Sequence, residues 1–212
     1  RTPTGVDFKQ PSRTPTGVDF KQPLCCSADN WSMSLPRQIL PNTTYLVTRR
    51  CTQRQFLLKP SPLMNAIFLY CCAIAAEKTG VLLHAVAVLS NHYHAVVTDV
   101  AGRLPDFMHQ LNLFVAKCVN VSIGRWENVF SVEQPSQVRC EQDEDVLDKI
   151  LYCLANPVSS HLVRHSRLWP GVCTTPEDWL RGEIEVPRPA VFFRDNGPMP
   201  AVATLKLSVE PA

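Results

Sequence analysis

From Thr43 onward the hydrophobic positions of the chain switch between two periods, and the switches mark out its elements. Thr43-Thr-Tyr-Leu-Val-Thr48 is β-branched and aromatic, which predicts a first strand running into the basic pair Arg49-Arg50. Ser61 then opens a helical pattern through Leu63, Ile67, Phe68, Cys71, Ile74 and Ala75 that stops at Gly80, with Ser and Gly in their usual capping positions. Val81–Leu89 and His94–Val100 predict two strands, joined as a hairpin by the turn formers Ser90-Asn91. Leu104 to Val121 returns to helical spacing at Leu104, Phe107, Met108, Leu111, Phe114, Val115 and Cys118. A short strand around Asn128–Val132 follows. A third helix, Asp143 to Ala155, carries Val146, Ile150, Leu151 and Leu154 on one side, with an acidic first turn and Pro157 at its end. Strand, helix, strand, strand, helix, strand is the split βαβ order. The expected fold is therefore α+β and ferredoxin-like: an antiparallel sheet with both helices on one face, first and third strands adjacent, and the helix after Asp143 standing apart.

The ends of the chain read differently. Arg1–Ser12 recurs as Arg13–Leu24 with only the last position changed, and two copies of a Pro-rich polar segment cannot build a solenoid. Residues 1–32 are therefore expected to be a disordered extension, with Met33 the natural start of a domain spanning 33–173. Residues 174–212 are Pro-rich and expected to form an appendage, in which Ala190–Phe193 and Ala203–Leu207 are candidate edge strands.

Composition narrows the class. With 45% hydrophobic and 19% charged residues in 212, the chain is an ordinary globular protein. Its longest apolar runs are broken by Lys78 and His84 and are too short for a bilayer. With no secretory pattern at the N-terminus, the expected location is the cytoplasm. Nine cysteines without a Cys-x-x-Cys pair read as reduced, structural thiols. The net charge is only +2, yet residues 33–125 hold nine Lys or Arg against three acidic residues, whereas residues 126–148 hold one against seven. A polyanion would favour the first region.

Chemistry concentrates in two short motifs. In Ser90-Asn-His-Tyr-His94, two histidines one residue apart project from the same face of a strand and can share a cation; a satisfied buried pair would look the same. In Tyr152-Cys-Leu-Ala-Asn-Pro-Val158, Tyr152 and Asn156 share a helix face, where they would otherwise be a core-rim aromatic and a helix terminus. Tyr93 must face away from the histidines, Tyr70 sits in the apolar first helix, and Tyr45 is close enough in the fold to support the site.

Taken together, these motifs resemble the single-tyrosine HUH transposases, specifically their REP-associated branch. His92-Tyr93-His94 matches the family's histidine, hydrophobic, histidine motif. Tyr152 through Val158, with Leu162-Val163, matches its nucleophile motif, and Tyr45–Arg49, Phe107–Leu111 and Gly124–Trp126 are further echoes over residues 35 to 170. The resemblance implies a metal-dependent single-stranded DNA endonuclease/transposase that cleaves and rejoins DNA through a covalent 5′-phosphotyrosine. It implies Tyr152 as nucleophile on a separate C-terminal helix, Mg²⁺ or Mn²⁺ held by His92, His94 and Asn156, a hairpin-containing single-stranded DNA partner, no membrane, and a homodimer as an open arrangement. For the DNA phosphates the candidates are Arg49, Arg50, Arg54, Arg125, Arg164 and Arg167, with Trp126 and Trp169 as stacking surfaces. One departure stands next to the site: the family's usual Arg-Ala-Gly after Asn-Pro-Val is Ser159-Ser-His161 here. It keeps open an alternative, a domesticated or inactive hairpin-binding protein that retains the fold.

Overall fold

The structure, a computed structural model, describes residues 38–208. The duplicated segment and Met33 lie outside the described residues. Four strands, β1 (Thr43–Arg50), β2 (Leu82–Val88), β3 (His92–Asp99) and β4 (Ser136–Arg139), form one sheet in the order β2-β3-β1-β4, with every neighbour antiparallel. The helices are α1 (Pro62–Thr79), α2 (Leu104–Ile123), α3 (Asp143–Ser159) and the short α4 (Pro176–Arg181). β1 and β3 are neighbours, as the split βαβ order requires.

Period-two alternation sorts the sheet into two cores. Tyr45, Val47, Tyr93, Ala95 and Val97 face α1 and α2, where they meet Ile67, Phe68, Phe107 and Leu111. Leu46, Val96, Ala85 and Ala87 face the other way and pack against Val146, Ile150 and Cys153 of α3. α3 thus lies across the opposite face from α1 and α2. Ser61 caps α1 by accepting from the Met64 N–H at 3.0 Å, and Gly80, at φ 72°, ends it in the left-handed conformation that glycine adopts without strain.

Three expectations need correcting. Asn128–Val132 is not a strand: only Phe130 bridges, to Cys51 just beyond β1, and β4 begins at Ser136 in a shifted register. Between them the chain bows out at Pro135, which has no N–H for a ladder, and the Arg49 guanidinium holds the bow by donating to the carbonyls of Ser131 and Glu133. Pro157 does not end α3, which continues to Ser159; a proline one turn from the end forfeits one intrahelical bond and its fixed φ still suits a helix. Ala190–Phe193 is not a strand, because Phe192 turns through φ 63° and Phe193 is drawn onto Tyr70 and Phe114. Val202–Lys206 (β6) does form a strand, paired with Glu183–Pro187 (β5) in a separate ribbon whose Val186, Ala203 and Leu205 join the core over α1.

The start of α2 depends on a residue outside the helix. Asp99, fully buried at the end of β3, accepts from the backbone N–H groups of Arg103 (2.7 Å) and Leu104 (2.6 Å), satisfying donors that the helix cannot. Asp99→Ala should cost about 2 kcal/mol, read as a lower urea midpoint with unchanged far-UV signal, and Asp99→Asn should cost less. An Ala variant as stable as the parent would remove this role.

Candidate active site

The register of β1 against β3 builds the site. Thr48 lies opposite His94 and Arg50 opposite His92, so all four side chains share the α3 face of the sheet. His94 Nδ1 is 2.7 Å from Thr48 Oγ1, and His92 Nδ1 is 2.7 Å from Asn91 Oδ1. An amide oxygen can only accept, so His92 carries its proton on Nδ1 and its Nε2 lone pair is free. His94 Nε2 is buried with no hydrogen-bond partner. The two rings meet edge to face, centroids 4.8 Å apart, and the Tyr152 ring lies against His94 at 5.3 Å.

α3 is placed by its own amphipathic stripe. Cys153 is buried under β3 and its thiol donates to the His94 carbonyl at 3.6 Å, which leaves its neighbour Tyr152 at the rim, 47% exposed. One turn on, Asn156 is only 5% exposed and its Oδ1 accepts a single long bond, 3.4 Å, from Ser160. It makes no hydrogen bond to either histidine. His94, Tyr152, Thr48 and Arg50 line a cavity of about 400 Å³, closed on one side by residues 133–136; His92 and Asn156 lie outside it. Among the described residues no three His, Cys, Asp or Glu side chains come together.

Burial, then the charges of His92 and Arg50, pushes the His94 imidazole down to about 4, and burial followed by Arg50 lowers His92. Both rings are therefore neutral at pH 7, the protonation state a metal ligand needs. A buried ring nitrogen without a partner, beside a second imidazole with its own nitrogen free, fits a divalent cation.

The six arginines divide evenly. Arg49 is spent on the Ser131 and Glu133 carbonyls, Arg125 donates to Gln55 and pairs with Glu127, and Arg167 pairs with Glu177. The side chains of Arg50, Arg54 and Arg164 are exposed and, among the described residues, make no hydrogen bond or ion pair. Trp169 is committed to structure, its indole N–H donating to the Val88 carbonyl, while Trp126 is 96% exposed. Tyr93 does face away, hydrogen-bonded to Asn112; Tyr45 also points to the α1/α2 core, so it cannot support the site. Thr48 is the residue that sequence reasoning missed, since only strand register brings it opposite His94.

The Ser-Ser-His departure has a local consequence. His161 N–H bonds the Val158 carbonyl and Leu162 N–H the Pro157 carbonyl, a Schellman ending whose central residue, His161, sits at φ 57°. Glycine suits that position; histidine is strained there.

A ferredoxin-like sheet with a detached helix laid over its histidine face defines a fold class, and a solved structure shares that fold. The chain is similar to a REP-associated tyrosine transposase bound to a REP hairpin, with a TM-score of 0.58 and 17% identity, over 78% of this chain and 94% of that one. A Deinococcus radiodurans protein described provisionally as a transposase aligns over 58% of this chain and 97% of that one at 16% identity; its TM-score of 0.39 carries no argument. No protein-family model and no curated protein matches. The chain thus has the fold of the REP-associated tyrosine transposases.

Two outcomes follow. Above the ordinary histidine value of about 6.5 both folded and unfolded chains hold neutral imidazoles; below it the unfolded chain takes up protons that buried His84, His92 and His94 refuse. Stability should therefore fall from pH 6.5 toward 4 in EDTA, with His94 alone contributing on the order of 1 kcal/mol for each pH unit over which it stays neutral, and His94→Gln should flatten the slope of urea midpoint against pH. His161→Gly should raise stability by roughly 0.5–1 kcal/mol, the left-handed strain of about 1–2 less glycine's extra unfolded freedom. A lower melting temperature for that variant would contradict the strain.

Proposed function

We propose that the protein is a metal-dependent single-stranded DNA endonuclease/transposase acting through Tyr152. The observation that carries the reading is the juxtaposition of the partnerless His94 Nε2 with the Tyr152 ring at the mouth of one cavity. His92 and His94 would hold Mg²⁺ or Mn²⁺ through Nε2, with the Asn156 amide oxygen, which now accepts only from Ser160, as third ligand. Bound there, the cation would polarise the scissile phosphate and offset the charge that develops on it.

This chain's residues do the rest. Thr48 and Asn91 fix the imidazole rings, and a ligand whose second nitrogen is held loses less freedom on binding. Arg50 offers a guanidinium to a phosphate oxygen on the same face. Tyr152 Oη gives up its proton to water and bonds to phosphorus as the P–O3′ bond breaks, and the departing 3′ oxygen takes up a proton. The DNA 5′ phosphate is then held on the tyrosine, and attack by a 3′ hydroxyl reverses the linkage. The solved neighbour is bound to a REP hairpin, and the same class of DNA, a hairpin with single-stranded flanks, is the proposed partner here.

The test uses labelled hairpin DNA with single-stranded flanks and Mn²⁺. A denaturation-resistant adduct should form with the parent chain, vanish in Tyr152→Phe, and drop about 10- to 100-fold at limiting Mn²⁺ in Thr48→Val, recovering as Mn²⁺ is raised. An adduct persisting in Tyr152→Phe would overturn the nucleophile. Hairpin binding with no adduct would leave a DNA-binding protein on a transposase fold, which the strained His161 beside the active helix makes a concrete second reading.

A further inference from the structure

The bowed segment between Phe130 and β4 has the candidate active site on one side and a second cavity on the other. This second cavity, about 570 Å³, lies between the segment and α2, and Arg49, Ser131 and Pro135 line both. One loop's thickness separates them. At the rim of the second stands Trp126, its ring nearly all in water and its indole N–H without an acceptor among the described residues. Trp169 and Trp179, by contrast, are each tied to a β2 carbonyl. An indole is a large apolar surface to leave in water, and nothing in the packing uses this one.

The floor of the groove adds polar groups with unused capacity. Asn112 Oδ1 accepts from the Tyr93 hydroxyl, leaving its NH₂ donors unengaged. Asn120 donates to the Glu127 carbonyl, while its Oδ1 is buried with no partner. A flat aromatic face beside spare amide donors and a spare amide acceptor is the chemistry that takes an unpaired nucleobase: stacking for affinity, the amides for its polar edge.

We propose that this groove binds one unpaired base of the same strand whose phosphate lies at Tyr152, stacked on Trp126 with its polar edge toward Asn120, while Asn112, about two turns back along α2, lines the path to it. The proposal rests on the function above for its strand, and on the shared loop for the strand's path from one cavity to the other.

Binding can be measured with chemistry switched off. Full-length chain carrying Tyr152→Phe, in EDTA, is titrated by fluorescence anisotropy with a hairpin bearing single-stranded flanks and with the same hairpin blunt-ended. Adding Trp126→Ala should weaken the flanked hairpin about tenfold and leave the blunt one unchanged, and Trp126→Phe should restore most of the loss. An abasic site at one flank position should reproduce the loss in the Trp126 protein and add nothing to Trp126→Ala. Equal losses on both hairpins, or none on either, would overturn the base site. If no DNA binds at all, the site and the proposed function fall together; a flank-dependent Trp126 effect without any adduct from the Tyr152 chain sinks the chemistry alone.

Discussion

Everything at the candidate site hangs on the pairing of β1 with β3. That register sets Thr48 against His94 and Arg50 against His92, and strand alternation then sends Tyr93 to one core and both imidazoles to the other. A slip of β1 by one residue would bury Thr48 and Arg50 among Ile67 and Phe68 and turn Tyr45 and Val47 toward α3. Two cores, with different helices on each, make such a slip costly on both faces at once. The site is therefore as rigid as the sheet.

Rigidity has a thermodynamic cost that the fold accepts. Imidazoles at this depth cannot take up protons without losing solvation, and His94 has a nitrogen with nothing to bond. A hydrophobe on the same strand would pack there without either penalty. Neighbouring β3 positions do just that: Ala95, Val96 and Val97 are all fully buried. Thr98 and Asp99 also interrupt the run, but their polar atoms are hydrogen-bonded; His94 is the buried side chain of β3 left with an unpaired nitrogen, a local conflict of the kind that concentrates where a ligand is meant to resolve it.

The sheet order, the hairpin at Ser90-Asn91 and three helices were legible because each rests on local signals: periodicity, a serine cap, a glycine stop. Pairings that depend on distant chain were not. β4 was misplaced by several residues because its position is settled by Arg49 gripping carbonyls more than eighty residues away, a contact no window of sequence contains. The β5–β6 ribbon was half seen for the same reason, since Glu183–Pro187 gains its strand character from Val202–Lys206. At the site, the Tyr152 ring lies against His94, while His92 and Asn156 stay outside the shared cavity, Thr48 enters through register and Tyr45 leaves through it.

The same alternation sorts the arginines. A basic residue near a nucleic-acid site is easily counted as a phosphate contact, yet a guanidinium already donating to two carbonyls is held in place by them rather than free to follow a phosphate. Arg49 is better understood as the clasp of the loop between the two cavities, holding the wall while Arg50, one residue on and facing the opposite side of the sheet, keeps its charge exposed toward the histidines. The alternation that separates Tyr93 from His92 and His94 thus also separates the structural arginine from the available one. With half the candidate arginines engaged in this way, affinity for a polyanion would rest less on bulk charge than on Arg50 beside Tyr152 and on stacking, which is less sensitive to salt than phosphate contact.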